Sequence, residues 1–240
     1  MSTPRLDGRA PGAIRPLRFT RHWLPNVPGS VLVECGRTRV LCTAIVEDGV
    51  PGFLKDSPEG WVTAEYSMLP GSTGNRRQRE RGVKQDGRSI EIQRLIGRAL
   101  RCVVDRKALK GRTAWVDCDV LSADGGTRTT SINGAYIALH DAFTAAKDNG
   151  GLKRWPLIDS LQATSVGLVE GEGIVDLSYY EDSSAEVDMN LIMTGTEKII
   201  EVNGGAEQQP FGLEQFEELM ELGRAGRRQV DAAQQAALKS

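Results

Sequence analysis

The chain has 240 residues, with 30 Lys and Arg against 32 Asp and Glu, a net charge of −2 and 40% apolar residues. That length can bury a core as one domain or as two small fused halves, and the composition is ordinary for a globular protein. No apolar run approaches the roughly 20 residues of a membrane-spanning helix, and the polar, charged N-terminus does not read as a secretory signal, so a cytoplasmic location is expected.

Ser30–Cys35, a Gly-Arg-Thr turn and Arg39–Val46 read as a β-hairpin rich in Val, Leu, Ile and Thr. Residues 49–60 hold Pro and Gly without periodicity and form a loop; Trp61–Met68 reads as a strand. Gly71–Gly87 is Gly-, Arg- and Gln-rich with no apolar period, so an exposed loop is expected. From Arg88 a helix begins, with Ile92, Leu95, Ile96, Ala99, Leu100 and Val103 at helical spacing. Thr113–Leu121 is a strand and Ser122–Gly126 a turn. A second helix over Thr127–Ala146 is expected to bury Ile132, Ala135, Leu139, Ala142 and Phe143. Strands return at Gln162–Val169, Gly173–Tyr180, Val187–Met193 and Lys198–Val202, joined by hairpin turns at Glu170–Gly173 and Thr194–Glu197. A final helix runs from Leu213 to Leu238, with Gly223 and Gly226 expected to break or kink it. The order predicts an α+β, or mixed α/β, domain with helices packed on largely antiparallel sheet. It spans 1–240 as one unit, with β-rich halves of about 1–150 and 151–240.

Charge is unevenly spread. Arg76–Arg112 holds 13 Lys or Arg against 4 Asp or Glu, and Glu170–Glu221 holds 14 Asp or Glu against one Lys. Such separation suits a basic face for a polyanion beside an acidic region able to hold metal ions, or else two solvated faces. Cys35, Cys42, Cys102 and Cys118 show no C-x-x-C spacing and read as reduced, buried thiols. Two histidines, His22 and His140, provide neither a zinc site nor a catalytic pair. P-loop, G-x-G-x-x-G, H-E-x-x-H and G-x-S-x-G motifs are absent from the sequence.

Asp124-Gly-Gly-Thr-Arg-Thr-Thr130 is the sharpest local feature. Its glycines allow close backbone approach, the following helix offers free N–H groups, and Thr127 and Arg128 add a hydroxyl and a planar cation. The alternative is a plain helix cap, with Thr129 or Thr130 as N-cap. Arg88 also opens a helix, where a cation opposes the dipole, so it needs an anion or a salt-bridged carboxylate nearby. In Asp176–Asn190, Asp182 at the end of one strand and Asp188 near the start of the next are placed to share a divalent ion, Mg²⁺ or Mn²⁺, or to be solvated turn charges. Arg76, Arg77, Arg79 and Arg81 suit a single-stranded or folded RNA backbone, or a solvated loop.

Together these segments resemble the bacterial ribonuclease PH family of phosphorolytic exoribonucleases. The matching stretches are R-L-D-G-R at 5–9, G-S-V-L-V-E-C-G at 29–36, V-L-C-T-A at 40–44 and W-V-T-A-E-Y-S-M-L-P at 61–70. They continue with G-R-S-I-E-I-Q-R-L-I-G-R at 87–98, D-C-D-V-L-S-A-D-G-G-T-R-T at 117–129, E-D-S-S-A-E-V-D-M-N at 181–190 and I-I-E-V-N-G-G-A-E at 199–207. The resemblance implies β-α-β units of the ribonuclease PH type and a homohexameric ring built as a trimer of dimers. It implies phosphate binding by Arg88, Gly126, Thr127 and Arg128, catalysis and metal binding by Asp182 and Asp188, and RNA contacts from Arg76 and Arg79. It further implies trimming of tRNA precursor 3′ ends, and of rRNA, with inorganic phosphate as co-substrate and nucleoside diphosphates as products. A non-catalytic, RNA-binding ring subunit is the main alternative, and a hydrolytic metal-dependent nuclease a weaker one. The chain departs from the family pattern at Gly71, where an arginine is common, and in a slightly shorter loop before Arg88.

Overall fold

The computed structural model describes residues 5–79 and 86–240, which leaves Arg81 outside the described residues. Strands β1 (Leu17–Arg21), β2 (Gly29–Cys35), β3 (Thr38–Asp48), β4 (Trp61–Met68) and β5 (Arg112–Ser122) form one sheet in the order β1-β2-β3-β5-β4. Neighbours are antiparallel except β4 and β5, which run parallel. A parallel pair needs a crossover, and helix α1 (Gly87–Cys102) supplies it. The second sheet holds β6 (Leu161–Val169), β7 (Glu172–Val175), β8 (Val187–Thr194) and β9 (Ile199–Ala206) in the order β7-β6-β8-β9, antiparallel throughout. Helix α2 (Thr127–Asp148) joins the sheets, a short α3 (Tyr179–Ser184) lies between β7 and β8, and α4 (Leu213–Lys239) closes the chain. This is the mixed α+β architecture expected.

Period-two alternation explains the first sheet. Val40, Cys42 and Ala44 on β3 and Ala114, Val116, Cys118 and Val120 on β5 point to the same buried side. There they meet the α1 stripe of Ile92, Leu95, Ile96 and Leu100 and the α2 residues Ile132, Leu139 and Phe143. Leu161, Ala163 and Ile192 of the second sheet belong to that same core. Helix α2 is therefore packed between two sheets, and its buried residues run round most of its circumference. The other face of the second sheet, with Val166, Leu168, Val175 and Met189, is covered by α4 through Leu219, Phe216 and Met220.

Several expectations change. Strand β1 was not foreseen, because Leu-Arg-Phe-Thr-Arg is a half-exposed edge without clean alternation. The strand expected over Gly173–Tyr180 ends at Val175. Asp176 turns the chain with φ +55°, and α3 follows, its Ser178 N–H donating to Glu181 at 2.7 Å. The Ser178-x-x-Glu181 spacing is a capping signature that the sequence does carry. Gly223 and Gly226 leave α4 unbroken. A Cβ at Gly223 would lie 2.6 Å from Leu191 Cδ2, and one at Gly226 2.6 Å from Val175 Cγ2, so both glycines let the helix sit close on the sheet. Of the four free cysteines, Cys102 is exposed, since it is the last residue of α1.

Candidate active site

The turn after β5 delivers the chain to α2 through Gly125 (φ +75°) and Gly126 (φ +64°). Gly126 is the N-cap, and no side chain caps the helix. The leading amides are thus left for a ligand. The alternative cap at Thr129 or Thr130 does not form; Thr129 Oγ1 instead donates to the Gly126 carbonyl at 3.0 Å. Thr127 Oγ1 accepts from the buried Tyr66 hydroxyl at 3.0 Å, which leaves its own proton to donate outward. Burial pushes the Tyr66 phenol up from its ordinary value and keeps it a donor.

Arg128 is held from α1: its Nη2 donates to Glu91 Oε2 at 2.8 Å, and its Nε is buried without a partner. Arg88 lies in the first turn of α1, whose N-cap is Asp86. The salt bridge considered for Arg88 is absent among the described residues, because the Asp86 carboxylate is taken by Arg77 at 3.1 Å. Arg88 and Arg128 instead both act electrostatically on Asp182.

Asp182 sits on α3 rather than at a strand end, and Asp188 is the second residue of β8. Their carboxyl groups lie in the same cavity and act on each other electrostatically. Burial, then the facing carboxylate, pushes Asp188 up to about 6. Burial also raises Asp182, against the pull of the two arginines. Two neighbouring carboxylates that disfavour each other's charge have the donor chemistry a hard divalent cation satisfies. No group of three or more candidate ligands occurs among the described residues, so a cation held here would take most of its oxygen shell from water and substrate.

Arg88, Gly126, Thr127, Arg128, Asp182 and Asp188 line one cavity of about 300 Å³. Arg76 and Arg79 are exposed and lie outside its lining, whereas the half-buried Arg77 contributes to it. Neither histidine lines it; His140 packs edge-on to Trp155 at 5.1 Å.

Sequence reasoning missed an arginine strap at the N-terminus. Arg5, 8% exposed, forks onto Glu181 at 2.7 and 2.9 Å and reaches the carbonyls of Val175 and Asp176. Arg15, 4% exposed, grips both oxygens of Asp176 at 2.9 and 2.7 Å and donates to the Asp124 carbonyl. The strap therefore ties the helix carrying Asp182 to the turn that starts α2. R-L-D-G-R carried a signal, but which arginines are buried depends on the returning chain. Gly125 lies in the same joint: a Cβ there would come 2.6 Å from the backbone of Leu177, Ser178 and Tyr179. Gly125→Ala is expected to displace the turn and weaken inorganic phosphate binding about tenfold, read by titration calorimetry. Unchanged affinity would show that the turn does not bind the anion.

The description "3′ exoribonuclease family, domain 1" matches residues 13–144, and "domain 2" of that family matches residues 160–226. Among solved structures the chain is similar to rice (Oryza sativa) Rrp46, with 20% identity over 98% of this chain and 100% of that one and a TM-score of 0.80. It is also similar to the Archaeoglobus fulgidus exosome with RNA bound to the active site, at 22% identity over 98% and 92% with TM-score 0.78. An archaeal exosome core matches at 21% over 95% and 90%, with TM-score 0.76. At these identities the likeness is one of fold.

Proposed function

We propose, from the premise that this chain belongs to the RNase PH 3′ exoribonuclease family, that it is a phosphate-dependent 3′→5′ exoribonuclease. In this reading it trims the 3′ ends of tRNA precursors, and of rRNA, in a homohexameric ring. The observation that carries the proposal is the meeting of an uncapped helix start and two arginines with a pair of aspartates in one cavity.

Phosphorolysis brings a phosphate dianion against an anionic phosphodiester, so like-charge repulsion is the obstacle. Arg88, Arg128 and the amides at Gly126 and Thr127 offset the charge of the attacking phosphate and orient it. Asp182 and Asp188 would hold Mg²⁺ or Mn²⁺, which supplies Lewis-acid stabilisation of charge at the scissile phosphate and leaving 3′-oxygen. The phosphate oxygen forms a new P–O bond as the bond to the 3′-oxygen breaks. A nucleoside diphosphate and an RNA shorter by one nucleotide result. Phosphate oxygen is already nucleophilic, so the cavity's lack of histidine is no obstacle. The bond exchanged resembles the bond formed, so addition from diphosphates should also run.

The test supplies purified protein with 3′-extended tRNA and Mg²⁺, with and without phosphate, and identifies the released nucleotide. Nucleoside diphosphate appearing only with phosphate supports the proposal; monophosphate independent of phosphate would mean hydrolysis. The second reading, a non-catalytic RNA-binding ring subunit, is favoured by the similar solved structures being Rrp46 and exosome cores. It predicts RNA binding without phosphate-dependent release. Retention of both aspartates and both arginines supports the enzyme.

Arg76 and Arg79 lie outside the cavity, on the exposed loop beside Arg77, where they suit an RNA body rather than its 3′ end. Replacing both with Ala is expected to weaken tRNA binding and flatten its salt dependence by up to about two phosphate contacts, while sparing short oligonucleotides. Equal loss on both substrates, measured across a salt series, would remove them from the tRNA interface.

A further inference from the structure

Asn190 closes the stretch that carries Asp182 and Asp188, and neither the phosphate nor the metal chemistry uses it. Asn190 lies two residues beyond Asp188 on β8, so strand alternation puts both on one face. It is 6% exposed, lines the cavity, and its carboxamide has no hydrogen-bond partner among the described residues. Its cross-strand neighbours are Ser165 and Asn203. Both are engaged: Ser165 Oγ accepts from the Leu177 amide at 3.1 Å, and Asn203 Nδ2 reaches Glu91 at 3.5 Å. Elsewhere the fold satisfies a buried asparagine fully. Asn133 donates to the Ala163 carbonyl at 2.9 Å and accepts from the Ala163 amide at 2.8 Å. The carboxamide opens onto the cavity rather than into the core, so a ligand entering there meets an amide with both its donor and its acceptor free.

We infer that Asn190 pairs with the 2′-hydroxyl of the 3′-terminal ribose and so makes the site select RNA over DNA. The inference rests on the reading that an RNA 3′ end occupies this cavity. The phosphates are already served by the arginines and helix amides. Base edges differ among the four nucleotides, so a fixed amide cannot match them all. The 2′-hydroxyl is present on every ribonucleotide and both donates and accepts, as a carboxamide does. Asn190 stands beside Asp188 on the cavity face of β8, within the same site as the aspartates that face the scissile phosphate in the proposed reaction. A deoxyribose end would displace water from the amide without replacing its hydrogen bonds, and such a site disfavours the analogue lacking the hydroxyl.

Binding in Mg²⁺ without phosphate tests this apart from turnover. Fluorescence anisotropy compares an all-ribo oligonucleotide with one carrying a single 2′-deoxy 3′-terminal nucleotide. The wild-type chain should bind the ribo end about tenfold more tightly, about 1.4 kcal/mol. Asn190→Ala should bind both ends alike, near the wild-type affinity for the deoxy end. No preference in the wild type, or a preference that survives in Asn190→Ala, overturns the inference. Phosphate-dependent release of diphosphates is scored separately, so a chain that selects ribose but never turns over would refute the proposed activity and leave this assignment standing.

Discussion

Asp188→Asn should lower phosphate-dependent turnover by about a thousandfold or more, equivalent to about 4 kcal/mol, while changing RNA affinity by less than about threefold. The amide keeps the shape of the carboxyl but cannot balance a divalent cation opposite Asp182. RNA binding is spared because it draws on the arginines. The same change should stabilise the fold. The Asp188 carboxyl moves from 3.8 to about 6 in the folded chain, so folding favours its protonated form. As pH rises through about 6 the folded state must carry two facing carboxylates, and stability falls relative to that at about pH 4. Removing the charge relieves this. At pH 8 without divalent ions, Asp188→Asn should melt about 2–4 °C above the wild type, with the gap closing near pH 4. Wild-type activity should correspondingly fall below about pH 6, as the couple takes up a proton. Calorimetry across pH and kcat measurements check both halves. A variant that turns over normally would take Asp188 out of the chemistry.

Arg128→Ala should raise the KM for phosphate about a hundredfold with a smaller loss in kcat, because the cation that faces the dianion in the proposed reaction is removed. Glu91 holds one edge of this guanidinium at 2.8 Å while Nε is buried and unpartnered. One planar group therefore spans a fixed carboxylate and the cavity. Arg128→Lys should rescue poorly, since a point charge cannot do both. Initial rates over a phosphate series, with calorimetric phosphate binding as a second readout, test this. Normal phosphate dependence in Arg128→Ala would contradict the role given to Arg128.

The sequence disclosed Arg128 and Asp182 for different reasons. Arg128 follows Asp-Gly-Gly-Thr, whose turn and helix start are built from neighbouring residues. Its environment was therefore readable locally, down to the choice between an anion site and a cap. Asp182 stands out as a candidate in the sequence, but on the wrong element: it lies on α3 and not at a strand end. The strand prediction ran through Ser178-Tyr-Tyr-Glu181, where a capping interaction starts a helix instead. The arginine loop divides in a way its sequence does not show. Arg76, Arg77 and Arg79 look equivalent in the chain, yet Arg77 turns inward to Asp86 and the cavity.

Backbone-local chemistry was written in the order of residues: alternating strands, the stripe of α1, the glycine turn before α2 and the segregation of basic from acidic stretches. Those signals act over a few residues, so they survive in one dimension. Packing chose the rest. Which arginines of the N-terminal segment are buried, why Gly223 and Gly226 keep α4 whole, and that Asn190 faces a cavity unpaired all depend on groups far away in the chain. Burial and pairing are properties of what the chain folds against, and no run of neighbouring residues contains them.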